Sequence, residues 1–559
     1  MQRDPHRPKG DRQKSAHRAP PVSEARTTDV DAVVVGAGIN GLVASAELAK
    51  AGWSVALVDR ADRLGGFITT EERTLPGYLH DTYSSWHPLF TSGPAYAALG
   101  ADLHRHGLEY RNTDGVLTAS VAADGRCVIA HRDPAATVAG FEHEADRARY
   151  LGMLEAFGAT AEQVGALMGT EPRSLAAAKA GLALLRTAKP RGTGRMLVDL
   201  AASGRGYLRR EFDGREVDQL WTPWLLHAGL GPDQATGGFM LPVLAATLHG
   251  FGLPVVAGGA GRFVAAFEAL LAERGVRLEL GAPVEEILVE GGRAVGVRLG
   301  GGKMLRAGRA VLASVTPTAL YGRLLGGAAA RIPAEVARQA ARYRYGRGAM
   351  QVHVALSEPL TWREPRLADV PLIHLSDGAG STGIACAQAE AGLLPARPTV
   401  VVGRQYLLDP SRVPHGAASL WLQLQEVPFR PCGDAAGEIE VEPGGEWTEP
   451  LGKAFADRVL AMVAEHAPDL PAKVRAVDVI TPADLAAANP NAVSGDPYGG
   501  SCELDQNLWW RPLPAAARHR TPVPGLWHIG SSTHPGAGLG GGSGHLVATE
   551  LTRKTRRRS

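Results

Sequence analysis

Gly36-Ala37-Gly38-Ile39-Asn40-Gly41 sets three glycines at the spacing GxGxxG, and Asp59 follows Gly36 by 23 positions. A first glycine in this pattern permits a tight turn. A second lets the backbone approach a pyrophosphate, and a third lets a helix pack close to a strand. An acid about twenty residues on accepts hydrogen bonds from a pair of ribose hydroxyls. The chemistry on offer is the holding of a dinucleotide, with Gly36, Gly38, Ile39, Asn40 and Gly41 at the phosphates and Asp59 with Arg60 at the adenosine end. Further on, Gly65 and Gly66 form a second glycine pair. Near the C-terminus, Gly530-Ser531 opens a loop containing Gly538-Leu539-Gly540.

These residues need elements to position them. Asp31-Ala-Val-Val-Val-Gly36 reads as a strand buried on both faces. Leu42, Ala46, Leu48 and Ala49 then mark a helix ended by Gly52, and Trp53 to Asp59 a second strand. The helix start offers free N–H groups and a positive dipole end to phosphates. Gly525 to Gly530 is another short strand, and the glycine loop after it opens a helix through His545. Two anion-facing helix starts at opposite ends of the chain suggest one long ligand held from both sides. A flavin dinucleotide fits, with its diphosphate at the first and its ribityl and ring at the second. The first fingerprint alone also suits a nicotinamide dehydrogenase.

On these motifs the sequence resembles the phytoene desaturase-like, carotenoid- and retinoid-oxidoreductase-related FAD enzymes. The nearest branch is that of pyridine nucleotide-disulphide oxidoreductase domain-containing protein 2. The matching stretches are Asp31 to Gly66, Thr70 to Asp81, Ser84 with His87 to Phe90, Pro254 to Gly261, Asp409-Pro410 with Pro414 to Gly416, Thr481 to Leu485, Arg511-Pro512 and Thr533 to Gly536. Phe67 stands where relatives often carry an Arg after the glycine pair, and Ser314 where they often have Asn. The resemblance implies FAD, with the backbone of Val284 at the adenine and Gly258–Gly259 near the flavin ring. It implies hydride transfer from a C–C or C–N bond of a lipophilic, polyene- or carotenoid-like substrate to flavin N5, with oxygen or a quinone as the electron acceptor. An amine oxidase-like activity, a redox-neutral isomerase or saturase, and a non-catalytic FAD-bearing scaffold are the alternatives.

The expected fold is α/β: a Rossmann-type FAD-binding domain of the three-layer ββα kind, interleaved with an α+β substrate domain that has an antiparallel sheet and a helical cap. The FAD-binding domain is expected over 30–95, 252–315 and 515–553, and the substrate domain over 96–251 and 316–514. Residues 1–29 read as a polar, basic tail with no apolar run of a secretory signal. Gly261 to Gly275 is an amphipathic helix. Strands follow at Val276–Leu280, Val284–Val289, Ala294–Leu299 and Arg309–Ala313. Met350–Leu356 and Ser419–Gln425 suit the antiparallel sheet. Ser174 to Lys189 is an amphipathic helix read as part of the cap, with membrane contact as the alternative.

His87, His534 and Tyr498 are the candidate proton acceptors, though hydride removal from an unactivated carbon need not use a strong base. His534 also suits a role in orienting the C-terminal loop. No HExxH or paired-ligand spacing suggests a metal. Lys+Arg 59 against Asp+Glu 57 leaves a net charge of +2, which does not support nucleic-acid binding. The four cysteines (Cys127, Cys386, Cys432, Cys502) form no CxxC, and they read as reduced, buried thiols of a cytoplasmic protein. No uncharged apolar run of about 18 residues is present.

Overall fold

A computed structural model describes residues 29–556. The expected N-terminal tail, apart from Asp29, lies outside the described residues. Seven strands build the first sheet: β1 (Val30–Val35), β2 (Val55–Val58), β3 (Arg277–Glu279), β4 (Val284–Glu290), β5 (Arg293–Leu299), β6 (Met304–Ser314) and β7 (Leu526–Ile529). Five run parallel in the order β3-β2-β1-β6-β7, with Val33 paired to Ala56 on one side and Val311 on the other. β4 and β5 join the first half of β6 as an antiparallel meander. The Val/Ala/Leu runs of β1 and β2 are buried on both faces because both are covered. Helices α1 (Ile39–Lys50), α2 (Gly261–Glu273) and α3 (Gly542–Arg556) cover one face. Phe90, Phe263 and Phe267 fill the core there. Full burial of each such ring contributes about 1.5–3 kcal/mol.

Two segments pack differently from the expected division at residues 95 and 315. Helix Pro94–Arg105 buries Ala95, Leu99 and Leu103 in the same core as α1 and α2. Residues Leu320, Leu324, Ile332 and Val336 pack beneath the other face, against Val33, Val35 and Val58. The reason is coverage: a parallel sheet needs both faces closed, and these helices close it.

The second sheet has seven strands, in the order Val474–Ile480, Gly348–Leu356, Ala418–Val427, Val400–Gly403, Leu372–Leu375, Val116–Val121 and Cys127–His131. All neighbours are antiparallel except Leu372–Leu375 beside Val116–Val121, which pair in parallel. Over it lies a helical cap that includes Glu144–Gly158, Ala161–Met168, Leu175–Ala201 and Gly237–Phe251. Its core holds Tyr150, Trp221 and Trp224. Ser174 caps the long helix through Ala177 N–H at 3.0 Å. The helix breaks at Lys189 (φ 59°), the residue before Pro190, where a helical conformation is disfavoured. All four cysteines are free; Cys386 and Cys502 are buried, but Cys432 is exposed and Cys127 half-buried, so the expectation of four buried thiols is corrected at these two positions. Among the described residues no helix is long and apolar enough to cross a membrane.

Candidate active site

At Gly36 the chain turns with φ +97°, and a Cβ there would stand 2.9 Å from the Ser314 carbonyl oxygen. At Gly41 a Cβ would lie 1.9 Å from the Gly36 carbonyl oxygen, which is where α1 packs onto the end of β1. Gly38 is different, since a Cβ on it would meet nothing within 4 Å. Folding therefore demands glycine at 36 and 41, while Gly38 keeps open a space at the start of α1. Among the described residues no side chain caps that helix and no acid lies in its first turn. Its leading N–H groups and positive dipole end are left for an anion. Gly65 N–H donates to the Ala37 carbonyl at 2.9 Å, so the Gly65–Gly66 turn lies alongside the first loop.

Asp59 ends β2 as expected. Its carboxylate accepts the Ala37 N–H at 2.6 Å and the Ala61 N–H at 2.8 Å. Each oxygen keeps lone-pair capacity for a ribose hydroxyl. The Asp59 carbonyl accepts the Ala282 N–H at 2.8 Å, which brings the start of β4, and Val284, to the same edge. Arg60 is exposed beside it. Arg63 donates to Thr69 at 2.6 Å and pairs with Glu71 at 3.5 Å. Phe67 packs on Tyr83 with the rings tilted, centroids 4.8 Å apart.

The C-terminal loop meets this cradle directly. Gly544 N–H donates to the Asn40 side-chain oxygen at 3.1 Å, and a Cβ on Gly544 would lie 2.1 Å from the Asn40 carbonyl. Gly530, φ +114°, abuts Ser314, the same residue that Gly36 abuts. Gly541 lies against Val43 and Ile39, and Gly538 against Leu89. Leu539 packs on the core and Gly540 approaches the Leu89 carbonyl. Ser531 is held through its carbonyl by Arg511 at 2.7 Å. The two glycine loops and the two helix starts thus adjoin at the C-terminal ends of β1, β6 and β7, where open parallel sheets place their ligands. An uncapped helix start, an open Gly38 face and an acid at the adenosine edge fit a flavin dinucleotide.

The three candidate proton acceptors occupy separate neighbourhoods. His87 is buried, bonds Tyr110 through Nδ1 at 3.0 Å and packs edge-on to Phe263. Burial pushes its pKa down to about 4. His534 donates Nε2–H to the Met168 carbonyl at 2.8 Å, tying the loop to the cap, and burial lowers its pKa to about 4. Tyr498 donates to the Leu226 carbonyl at 2.6 Å and accepts from Gln425 at 2.8 Å. Burial raises its pKa, so the phenol stays protonated. Of the three, His534 and Tyr498 adjoin the C-terminal loop, Tyr498 through Arg511, which donates to both the Tyr498 and Ser531 carbonyls at 2.8 and 2.7 Å. His87 lies in the aromatic core.

Sequence reasoning assigned no role to the charged groups that set these loops. Buried Arg412 pairs with Asp81 at 2.7 Å and Asp409 at 3.1 Å, and donates to the Val256 carbonyl at 2.6 Å. Asp81 accepts the Ala260 N–H and Asp409 the Gly258 N–H, both at 2.7 Å. Burial opposes ionisation of both acids. Arg412 and the hydrogen bonds outweigh it and hold both pKa values below the usual range. Asp496 is buried and accepts three backbone N–H groups, from Gly346, Tyr498 and Gly500 at 2.7–2.8 Å. Asp81, Asp409 and Arg511 all stand in the stretches that carry the resemblance, and that was the available signal.

A parallel sheet with two phosphate-type cradles at its strand ends, locked to a second domain, defines a dinucleotide-dependent oxidoreductase. The family pattern of flavin containing amine oxidoreductases matches residues 39–412. The chain belongs to that family and is an FAD-dependent oxidoreductase of the phytoene desaturase-like kind. It is 25% identical over 94% of both chains to pyridine nucleotide-disulfide oxidoreductase domain-containing protein 2 of Rattus norvegicus. It is 26% identical to the zeta-carotene-forming phytoene desaturase of Myxococcus xanthus, over 91% of this chain and 90% of that one. Cyclohexylamine oxidase of Brevibacterium oxydans shares the fold, with a TM-score of 0.56 at 18% identity over 95% of this chain and 100% of that one.

Proposed function

We propose that the protein is a desaturase or dehydrogenase that removes hydride from a carbon of a lipophilic substrate. When bound, FAD supplies the hydride acceptor at its N5 position. Gly36, Gly38, Gly41 and Gly65–Gly66 would hold the diphosphate, Asp59 and Val284 the adenosine, and the Gly530–Gly540 loop with the start of α3 the ring end. The chain's own residues then have three tasks. Arg511 and the Ser532 hydroxyl, which donates to the Gly499 carbonyl at 2.6 Å, fix the 498–502 segment against the C-terminal loop. The Arg412 clamp fixes Gly258–Ala260. Phe67, Tyr83, Ala349, Ile480 and Leu485 form an apolar cluster between the Gly65–Gly66 turn and the second sheet, which excludes water.

The observation that carries the reading is the apolar cluster of Phe67, Tyr83, Ala349, Ile480 and Leu485 between the Gly65–Gly66 turn and the second sheet. An apolar wall beside the cofactor cradle suits loss of hydride from an apolar carbon, where no polar proton has to be abstracted. The likeness to a curated phytoene desaturase supports the same substrate class.

Anaerobic mixing of the FAD-loaded protein with polyenes and terpenoid hydrocarbons should bleach the flavin absorbance. Mass spectrometry should find product lighter by two hydrogens. The rate should stay flat from about pH 6 to 8, because no candidate group titrates there. Bleaching by amines alone would replace this reading with an amine oxidase, and no bleaching by either class would favour a scaffold.

A further inference from the structure

Arg511 is a buried charge with no carboxylate in its grip. Its side chain is fully buried, and among the described residues it forms no ion pair, in contrast to Arg412 with its two acids. Its donors go to the backbone. Nε and Nη2 both reach the Ser531 carbonyl, at 3.0 and 2.7 Å. Nη2 also reaches the Tyr498 carbonyl at 2.8 Å, and Nη1 the Ser501 carbonyl at 3.3 Å. Its thiol and phenol neighbours stay neutral. The Cys502 sulfur lies 3.8 Å from Nη1, and burial pushes that thiol up; burial pushes the Tyr343 phenol up to about 12. Asp496, the buried acid of this pocket, takes the Tyr498 N–H while Arg511 takes the Tyr498 carbonyl, so the Tyr498 backbone stands between the two charges.

Burying a guanidinium is costly, and carbonyl dipoles offset only part of that cost. A charge held in such a place is weakly screened, so its field reaches further than it would in water. The first thing it meets is the C-terminal glycine loop. In a trans peptide the carbonyl and the following N–H point opposite ways. Arg511 holds the Ser531 carbonyl, so the Ser532 N–H points away from the guanidinium, and among the described residues it has no partner. The Gly530 carbonyl is taken by the Thr533 N–H at 3.2 Å and the Thr533 hydroxyl at 2.8 Å. His519 takes the His534 carbonyl through Nε2 at 2.9 Å. Three carbonyls of the loop are thus spent within the protein, and a fixed cation stands directly behind it.

We propose that Arg511 sets the reduction potential of the bound flavin, as a positioning residue whose charge acts through the Ser531–Ser532 peptide. This rests on the placement of the flavin ring end at the Gly530–Gly540 loop, and it holds whichever bond is oxidised. Hydride carries two electrons and one proton, so its acceptance leaves the cofactor with one more negative charge. A fixed cation behind the loop favours that reduced form over the oxidised one. An apolar carbon gives up hydride reluctantly, and a raised potential is what an acceptor for it needs.

Redox titration tests this without any substrate. The two-electron midpoint potential of the FAD-loaded, full-length protein and its affinity for sulfite are measured in the parent, Arg511→Lys and Arg511→Gln. Sulfite adds to flavin N5 and leaves negative charge on the ring, so it reads the same field. The parent's bound flavin should have a higher potential than free FAD in the same buffer. Gln keeps amide donors but removes the charge, so the potential should fall by about 30 mV, the two-electron equivalent of a ten-fold change, and sulfite should bind about ten-fold more weakly. Lys keeps the charge but loses the planar fork. It should bind FAD more weakly and hold the parent's potential to within about 9 mV, a two-fold change. An arginine that only ties the loop down would weaken FAD binding in both variants and leave the potential of the bound flavin unchanged, and that result overturns the proposal. An equal fall of potential in both variants also overturns it. So does a parent potential below that of free FAD, even where Arg511→Gln fails to hold the cofactor. If neither affinity nor potential responds to either variant, the loop does not hold the ring end, and the placement of FAD falls with the proposal.

Discussion

Gly38 and Gly41 stand three positions apart in one motif and answer to different constraints. A Cβ on Gly41 would sit 1.9 Å from backbone, and neither α1 nor β1 can yield without disturbing the sheet. Gly41→Ala should therefore lower stability by about 1–3 kcal/mol or more even without cofactor, read as the melting temperature of the apoprotein. Gly38 has φ −70°, which alanine adopts freely, and open space where the Cβ would go. Gly38→Ala should keep or slightly raise the apoprotein's stability. It should weaken FAD binding by at least about ten-fold, roughly 1.4 kcal/mol, because the methyl fills the approach to the helix start. A Gly38→Ala protein that binds FAD as tightly as the parent would place the diphosphate elsewhere. The glycines could be picked out from the chain because their spacing is local. Their division into packing and ligand roles could not, since Gly36 packs against Ser314, 278 residues further on, while Gly38 faces open space.

Among elements, the turn at Ala257–Ala260 follows a strand of only two residues, Val255–Val256, and the Arg412 clamp holds it. Arg412 is buried with both carboxylates, and each carboxylate also takes a backbone N–H of the turn. Removing one partner of a buried pair leaves the other charge uncompensated and costs about 3–5 kcal/mol. Asp81→Asn should lower the melting temperature on that scale at pH 7 and loosen FAD. The sign of its pH dependence follows from the depressed pKa of Asp81. The stabilisation is full above the unfolded carboxylate's pKa, about 4, and is lost as pH falls through the lower folded value. The stability gap between parent and Asp81→Asn should therefore close only in strong acid. A gap that narrows already between pH 7 and 5 would show that the pair is not the cause. The strands and helices around the clamp were legible because their periods are local. The clamp was not: Asp81 and Arg412 lie 331 residues apart, and nothing short-range couples them. The same limit explains helix Pro94–Arg105, whose apolar face shows in the sequence but not which core receives it.

Over the whole molecule, the chain closes on itself: α3, from the last residues described, packs on α1 from the first. That closure was readable from the glycine loops at the two ends, because one long ligand held from both sides suits both. A consequence of the fold was not readable: histidines from distant segments become buried with their rings unprotonated. His80, His87, His528 and His534 are pushed by burial down to about 4, and His227 and His353 to about 3. The ordinary value is about 6.5, so between that and about 4 the unfolded chain binds more protons than the folded one. Stability must then fall as pH drops through this window, by about 1–2 kcal/mol at pH 5 for each such group. The carboxylate clamp, which fails only at lower pH, cannot offset it. The melting temperature should be nearly level from pH 7 to 8 and decline steadily from pH 6.5 to 5, before any carboxylate of the clamp protonates. His353 isolates the cause. It is fully buried, packs on His80 with ring centroids 5.0 Å apart, and bonds the Thr82 carbonyl through Nε2 at 3.1 Å. Gln in its place retains an N–H donor but no titrating group, so His353→Gln should shrink the fall in stability between pH 6.5 and 5 by the share of one group, about 1–2 kcal/mol, whatever it does to stability at pH 7. A decline in that variant as steep as the parent's would remove His353 from the causes of the acid sensitivity.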